Sequence, residues 1–372
     1  MPTYYLFSPI FLKEFTSNVF QSFGVGERDA ILASEVLSKS DVRGIDSHGV
    51  ARLKSYVEMF SIGRLNPKPN VKIIRDKKSV ATVDGDSGLG LVVGPKANDI
   101  AMDKAAAHGS GWVSVCNTNH YGIASYYSLK ALERDMLGWS MTNTSSIVSP
   151  LWGAKGMLGT NPISIAFPGL RNPPIVIDLA TSVVALGKVE IARRQGRSIP
   201  KGWLIDKEGN DTSDPSDMFG GNLLPLGSTR EMGGHKGYCL ASMVDILCGV
   251  LSGANWGPFV PQFALYETPP DKAVGKGIGH FFGAMEIDGF EEVNVFKKRI
   301  DDWIEEFRRT PPLPGHDAVL IPGDPERIAE EERSVKGIPV IQAVLDDLVN
   351  ISKHTNVGFD WENNCLDRLE KE

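Results

Sequence analysis

The sequence predicts an α/β protein with a mixed-sheet core and helical chain ends. Three observations carry this reading. Strand-like and helix-like segments alternate between about residues 70 and 190. Apolar residues recur at helical spacing before residue 60 and again after residue 293. The chain has 372 residues, more than one small core organises, so about two units are expected. Because the helical stretches lie at both ends, they are expected to pack together, which makes their unit discontinuous.

The elements follow in order. Phe11–Asp41 reads as two helical stretches broken at Phe23–Glu27, with Val19, Phe20 and Phe23 on one apolar face and Ile31, Leu32, Val36 and Leu37 on another. A helix is expected over Val50–Phe60, closed by Pro67 and Pro69. Val71–Val83 alternates like a strand pair around Asp76–Lys78. A glycine-rich turn, Gly85–Gly94, precedes a helix over Lys96–His108. Strands at Trp112–Cys116 and Gly138–Thr142 enclose a helix over Ile123–Arg134. Ile163–Phe167 and Ile175–Asp178 are strands, Thr181–Gln195 a helix, and Gly202–Asn222 a turn-rich excursion over the surface. Gly237–Ser252 is an apolar helix and His280–Ile287 a strand. Val293–Arg309 is an amphipathic helix with Phe296, Ile300, Ile304 and Phe307 inward. Pro311–Pro325 resembles a linker, and Glu326–Asn350 holds two short helices around Gly337.

Composition excludes several function classes. Hydrophobic residues make up 42% and charged residues 23%, an ordinary globular balance. A net charge of −7 disfavours a nucleic-acid backbone binder, although a small anion needs only a few local cations. The four cysteines, Cys116, Cys239, Cys248 and Cys365, have no Cys-x-x-Cys spacing and read as reduced thiols of a cytoplasmic protein. The segment Met1–Leu12 lacks the positive start of a signal peptide, and Tyr238–Leu251, interrupted by Asp245, is too short to span a membrane. The histidines lack H-x-x-x-H spacing and no carboxylate cluster accompanies them, so no metal site is expected.

Two patterns imitate cofactor motifs. Gly88, Gly90 and Gly94 stand between a strand and a helix, as in a dinucleotide turn, but Cys116–Asn119 supplies no acidic residue after the next strand. They read instead as a tight turn needing positive φ. Tyr126 and Lys130, with Ser114 upstream, have the spacing of a short-chain dehydrogenase triad, but the early glycine-rich nucleotide turn is missing; a packed aromatic and a solvated lysine are expected.

The chemistry-bearing segments centre on histidine. If the chain is helical from Gly49 onward, His48, Arg52 and Tyr56 share one face and present an imidazole, a guanidinium and a phenol. Arginine matches a carboxylate bidentately, and tyrosine and histidine can bond a hydroxyl or carbonyl beside it. A plain helix start with a Ser47 cap and an incidental surface arginine explains the same residues equally well. Asn119–Gly122 places His120 in a turn after a strand, where a general acid–base is held yet accessible, although a lone turn histidine is more often only a hydrogen-bonding residue. Thr142–Ser146 and Gly159–Pro162 add polar groups, and Asp178–Ser182 is read as a strand end that begins a helix and so offers amides to an anion. Gly233–Gly237 opens the apolar helix with flexible glycines and Lys236, suited to a phosphate.

These segments resemble the malate/L-lactate dehydrogenase type 2 family. Asp41–Leu53 is similar to its N-terminal signature and Asn119–Ala124 to its second. Met141–Ser145, Leu158–Ile163, Asp178–Ser182, Gly187–Lys188, Arg230–Gly237 and Gly279–Phe282 follow in the family's order, so the likeness runs from about Phe11 to the segment after Gly337. The resemblance implies a non-Rossmann mixed-sheet domain, residues 71–289, that binds NAD or NADP. It also implies a helical substrate and dimerisation domain from residues 1–70 and 290–372, and a homodimer or larger homo-oligomer with the site near the subunit interface. His120 resembles the proton donor and acceptor, with His48 as a second catalytic candidate. Ser47, His48, Arg52 and Tyr56 resemble the substrate-binding set. Thr144, Asp178, Leu179, Ala180, Lys236, His280, Phe281 and Phe282 resemble cofactor contacts. One departure is Cys239, where a small residue is common. The implied activity is hydride transfer between the cofactor and a small 2-hydroxy acid, malate or lactate first, with ureidoglycolate, sulfolactate or a cyclic imino acid as alternatives. A catalytically silent ligand-binding homologue is the rival of a different class, and no nucleic-acid or membrane partner is expected.

Overall fold

The computed structural model describes residues 3–263 and 269–370. Its centre is a seven-stranded sheet of β2 (Lys72–Lys77), β3 (Val80–Gly88), β4 (Ser110–Thr118), β5 (Met136–Thr142), β6 (Ile163–Phe167), β7 (Ile175–Leu179) and β11 (Ile278–Glu286), in the order β2-β3-β4-β11-β5-β6-β7. Only β3 and β4 pair in parallel, and the other neighbours are antiparallel. A doubly wound dinucleotide fold needs a run of parallel strands, so the sheet is mixed and non-Rossmann. β3 and β4 are joined by α4 (Gly90–His108), which ends on Gly109 at φ 80°, a left-handed position suited to glycine.

α4 begins six residues before the expected Lys96, in spite of Pro95. The glycines ahead of Pro95 are there for close packing. A Cβ on Gly88 would meet Pro69, and one on Gly94 would meet the Tyr127 ring, while the left-handed turn angles belong to Asp86 and Ser87. The expectation that Gly88, Gly90 and Gly94 supply positive φ is therefore corrected: tertiary contact, not turn geometry, requires them.

The chain ends meet as a sheet as well as by helices. β1 (Thr3–Phe7) pairs antiparallel with β12 (Ile338–Ile341) and with β13 (Cys365–Glu370). Around this sheet lie α1 (Pro9–Ser22), α2 (Glu27–Val42), α3 (Leu53–Ser61), α9 (Asp324–Lys336), α10 (Gln342–Thr355) and the short α11 (Trp361–Asn364). Phe7, Phe11 and Phe15 all pack on Phe359, tying the N-terminus to the C-terminal segment. None of these three strands was expected. Each is six residues or shorter, and its pairing partner lies hundreds of positions away, as in Tyr4 with Ile341.

The core around the sheet includes α5 (Ser125–Leu132), α6 (Leu186–Arg194), α7 (Gly234–Asp245) and α8 (Val293–Arg308). α8 buries Ile304 against Ile175 and Ile321, and its Asp301 side chain, fully enclosed, accepts the amides of Leu170, Arg171 and Asn172. Phe307 faces outward instead of inward, stacked on Trp303 at 3.8 Å. α7 runs on into a π-helical turn, Ile246–Val250. The excursion expected to be surface loop is a small sheet with its own core. β8 (Leu204–Ile205), β9 (Asp211–Thr212) and β10 (Asn222–Leu223) pair in the order β10-β8-β9 and bury Leu204 and Leu223 against Val189 and Ile199.

Candidate active site

The first wall of the site is the turn after α2. A single helix from Gly49 was expected; the chain instead makes a 3-10 turn at Asp46–His48, breaks at Gly49 (φ −92°, ψ −144°), and makes a second 3-10 turn at Val50–Arg52 before α3. Asp41 explains the break. Its buried carboxyl accepts the Val50 amide at 2.8 Å, and a Cβ on Gly49 would fall 1.7 Å from Asp41 Oδ1, so only glycine lets the turn sit on this group. Burial, opposed in part by the Val50 amide, pushes the Asp41 pKa up to about 8. A carboxyl raised from 3.8 lowers stability progressively as pH climbs from its unfolded value toward 8. Asp41→Asn keeps an acceptor for Val50 and removes the charge. Its melting temperature relative to the parent should be most favourable above pH 8 and converge toward the parent near pH 4, as read by thermal unfolding across pH.

The opposite wall is the turn after β4. Asn119 fixes it: its amide donates to the carbonyls of Ser87 and Gly88 at 3.1 Å, and its oxygen accepts Arg64 Nε at 3.2 Å. Behind it Tyr121 is fully buried, stacked between Tyr127 (4.7 Å) and His280 (4.6 Å). His120, between these two anchors, is half-buried and turned toward the first wall. Its ring stacks over His48 at 5.5 Å, and its Nδ1 lies 2.7 Å from Tyr56 Oη and 3.3 Å from the Gly122 amide. Tyr56 Oη also reaches the His120 carbonyl at 3.4 Å. With the hydrogen on Nε2, Nδ1 accepts from the Gly122 amide and from Tyr56; the other tautomer gives up the long Gly122 bond and keeps Tyr56. With the hydrogen on Nδ1, the ring donates to Tyr56, which passes its own hydrogen to the carbonyl, and Nε2 is the free base.

Electrostatics keep both imidazoles neutral. Burial first, then the charges of His48, Arg52 and His280, holds the His120 pKa well below its usual 6.5. Burial and Arg52 lower His48 to about 4. Arg52 is oriented by donating from Nε to the Ser47 carbonyl, and Ser47 Oγ bonds His48 Nδ1 at 2.9 Å. The structure thus brings together Ser47, His48, Arg52, Tyr56 and His120, although not on one helix face. It adds Phe263, whose ring stacks on His120 at 4.1 Å and meets Tyr56 at 5.2 Å. Phe263 carries no sequence signal: an aromatic in an irregular stretch has no period or motif.

The remaining predicted residues separate. Strand alternation puts His280 and Phe282 on one face of β11 and Phe281 on the other, against Trp112. His280 and Phe282 are wholly enclosed beneath the His120 turn, His280 bonded through Nδ1 to Thr142 Oγ1 at 2.7 Å with burial lowering its pKa to about 3. These three consecutive residues cannot present side chains to one ligand. Thr144 is tied into its own loops, its amide on Asn161 and its Oγ1 accepting the Thr160 amide at 3.0 Å. Asp178 accepts the Ser125 amide at 2.9 Å, and with Leu179 it lines a cavity of about 400 Å³ shared with Arg43, Ile321 and Gly323; Ala180 follows at the strand end. No helix begins at Asp178–Ser182 as expected, because Thr181 and Ser182 spend their hydroxyls on backbone carbonyls and α6 starts only at Leu186. That later start brings Gly187 beside Ser47, 4.0 Å from the position of an added Cβ.

The start of α7 has the features of an anion site. Gly233 caps this twelve-residue helix at φ 99° without any side-chain bond. Lys236 folds back over it, exposed, with no carboxylate partner among the described residues, and Arg230 and His235 lie beside it, 3.0 Å apart. Three basic side chains at the positive end of a helix call for an anion. The segment 181–187 links the two places: Thr181 bonds Leu226 next to Gly227, which abuts Gly233, and Gly187 abuts Ser47. Among the described residues no cluster of three or more His, Cys, Asp or Glu groups could hold a metal ion.

Residues 7–349 match the family described as malate/L-lactate dehydrogenase. The malate dehydrogenase of Pyrococcus horikoshii is 42% identical over 93% of this chain and 94% of its own. The L-sulfolactate dehydrogenase of Methanocaldococcus jannaschii is 38% identical over 94% and 96%, and the ureidoglycolate dehydrogenase (NAD(+)) of Escherichia coli K12 is 30% identical over 95% and 97%. Among solved structures, malate dehydrogenase from Entamoeba histolytica superposes with a TM-score of 0.89 at 33% identity, covering 96% of this chain and 99% of that one.

Proposed function

Because the chain belongs to the malate/L-lactate dehydrogenase family of nicotinamide-dependent hydroxy-acid dehydrogenases, we propose that it interconverts a small 2-hydroxy acid, malate or lactate, with its 2-oxo acid through His120 and Arg52. The observation that carries this is the His120 ring, held through Nδ1 by Tyr56 and bordering the same Phe263 ring as the Arg52 guanidinium. The substrate carboxylate binds Arg52 in a bidentate pair, helped by Ser47 and His48. In oxidation His120 Nε2 takes the hydroxyl proton from the C2 carbinol. In reduction the imidazolium returns it to the developing alkoxide. The nicotinamide, when bound, accepts or supplies the hydride at C2. Lys236, with Arg230 and His235, binds the diphosphate, and Thr144 and Asp178–Ala180 border the rest of the cofactor.

The test is a kinetic panel of oxaloacetate, pyruvate, sulfopyruvate and the oxidation of ureidoglycolate, each with both nicotinamide cofactors. Turnover of oxaloacetate or pyruvate well above the others supports the reading; preference for another substrate overturns the malate or lactate assignment. Arg52→Lys should raise KM roughly 10–100-fold, the loss of one charged hydrogen bond, with kcat changed far less. An unchanged KM removes Arg52 from the carboxylate.

The same reading includes a homodimer or larger homo-oligomer in the cytoplasm. Met243, Ile246, Val250 and Leu251 form an exposed apolar strip along α7 and its π-turn, of the kind that a second copy covers. All four cysteines are unpaired, as a reducing compartment keeps them. Light scattering on the purified protein reads the mass; a monomer at micromolar concentration overturns this part.

A further inference from the structure

The aromatic ring of Phe263 neighbours both Arg52 and His120. Its plane lies within 24° of the His120 imidazole at a centroid distance of 4.1 Å. Two rings that close leave no room for an atom between them, because a ligand sandwiched by two π-faces needs roughly twice a 3.5–4.0 Å contact. A group bonded to His120 Nε2 in the imidazole plane therefore lies along the edge of the phenyl ring. The Arg52 guanidinium carbon stands 5.8 Å from the same ring centroid, and Tyr56 packs edge-on at 5.2 Å. One phenyl side chain thus borders the proton-transfer residue, the carboxylate anchor and the tyrosine that orients the imidazole.

Its position is built, not incidental. Arg64 donates through Nε to Asn119 Oδ1 at 3.2 Å and through Nη1 to the carbonyl of Gln262. A single guanidinium therefore clamps the residue before His120 to the residue before Phe263. Phe263 is half-buried and packs on the main core, so its ring is supported on one side and partly accessible.

We propose that Phe263 is the specificity-determining residue of the site: its ring walls the space taken by the C3 substituent of the 2-hydroxy or 2-oxo acid and limits its size. This rests on the reading of His120 and Arg52 given above. The carboxylate and the C2 oxygen are fixed by Arg52 and His120, so the substituent on C2 is the part of the molecule left to contact the phenyl ring. A hydrocarbon wall discriminates by volume, with roughly 10–200-fold for each methylene that does or does not fit. Enlarging the space beside it should favour the longer acid selectively.

The experiment compares the parent, Phe263→Ala and Phe263→Leu for the reduction of pyruvate, 2-oxobutanoate and 2-oxohexanoate at saturating reduced cofactor. In Phe263→Ala the ratio of kcat/KM for 2-oxohexanoate over pyruvate should rise at least tenfold, with Phe263→Leu in between. Phe263→Leu keeps most of the apolar volume, so it reports even if the alanine variant folds poorly. A uniform loss across the three acids in both variants, or an unchanged ratio, overturns the proposal and leaves Phe263 a packing residue. The parent separates this failure from failure of the underlying reading: a parent that reduces none of these three acids, nor oxaloacetate, nor sulfopyruvate, with either cofactor sinks the assignment of His120 and Arg52 itself.

Discussion

His120→Ala should lower kcat for a good 2-oxo acid by roughly 10²–10⁴-fold, the ordinary contribution of a positioned acid–base. The cofactor should still raise the melting temperature of the variant, because the basic group at the start of α7 is untouched. The pH dependence gives the argument its sign. The His120 pKa lies well below 6.5, first because burial partly strips water from the ring and then because His48, Arg52 and His280 are near. The neutral base that oxidation requires is therefore already present at pH 7, and kcat/KM for hydroxy-acid oxidation should stay level from pH 8 down through 6.5 before falling. Reduction needs the imidazolium, which the free site disfavours, so its kcat/KM should rise as pH falls over the same range. Both limbs should vanish in His120→Ala. Tyr56→Phe should show a smaller loss with the acid limb displaced, because Nδ1 then keeps only the Gly122 amide. Near-parental turnover in His120→Ala would falsify the acid–base assignment outright.

The sequence disclosed the residues of this site because each belongs to a short segment whose composition is odd for its place. His48 and Arg52 follow a polar turn after α2, and His120 sits among Asn, Tyr and Gly at a strand end. Strand-and-helix alternation likewise disclosed the central sheet from β3 to β7. What local pattern could not disclose is anything made by distant chain. β1 finds β12 and β13 only through long-range pairing, and Phe263 meets His120 and Tyr56 from a segment well over a hundred positions away in sequence. The geometry of Gly49 depends on a carboxyl in α2. For β11, a strand's period of two is enough to place the Phe281 side chain on the face opposite His280 and Phe282.

Of the three glycines in the pattern that imitates a nucleotide turn, Gly90 has the most to lose. Gly90→Ala should destabilise the protein by about 1–3 kcal/mol or more, as overpacking of a tight interior does. An added Cβ would stand 2.1 Å from the Asn119 carbonyl oxygen, 2.4 Å from that of His120 and 2.6 Å from the His120 carbonyl carbon. All three are backbone atoms, so no side chain can swing away. Either α4 withdraws from the sheet or the turn carrying His120 shifts. The second course opens the 2.7 Å contact between His120 and Tyr56, and displacements of that order near the reacting atoms cost about a hundredfold in rate. Gly90→Ala should therefore lose activity along with a drop in melting temperature of several degrees, roughly 2–4 °C per kcal/mol for a chain of this order. Gly358→Ala is the matched control. Nothing lies within 4 Å of its added Cβ and its φ is not positive, so its stability should stay within about 0.5 kcal/mol of the parent. If Gly90→Ala melts and turns over like Gly358→Ala, the close approach of α4 to the His120 turn does not hold this site in place. If it melts normally but loses activity, the turn has moved while the helix stayed, which locates the strain at His120 itself.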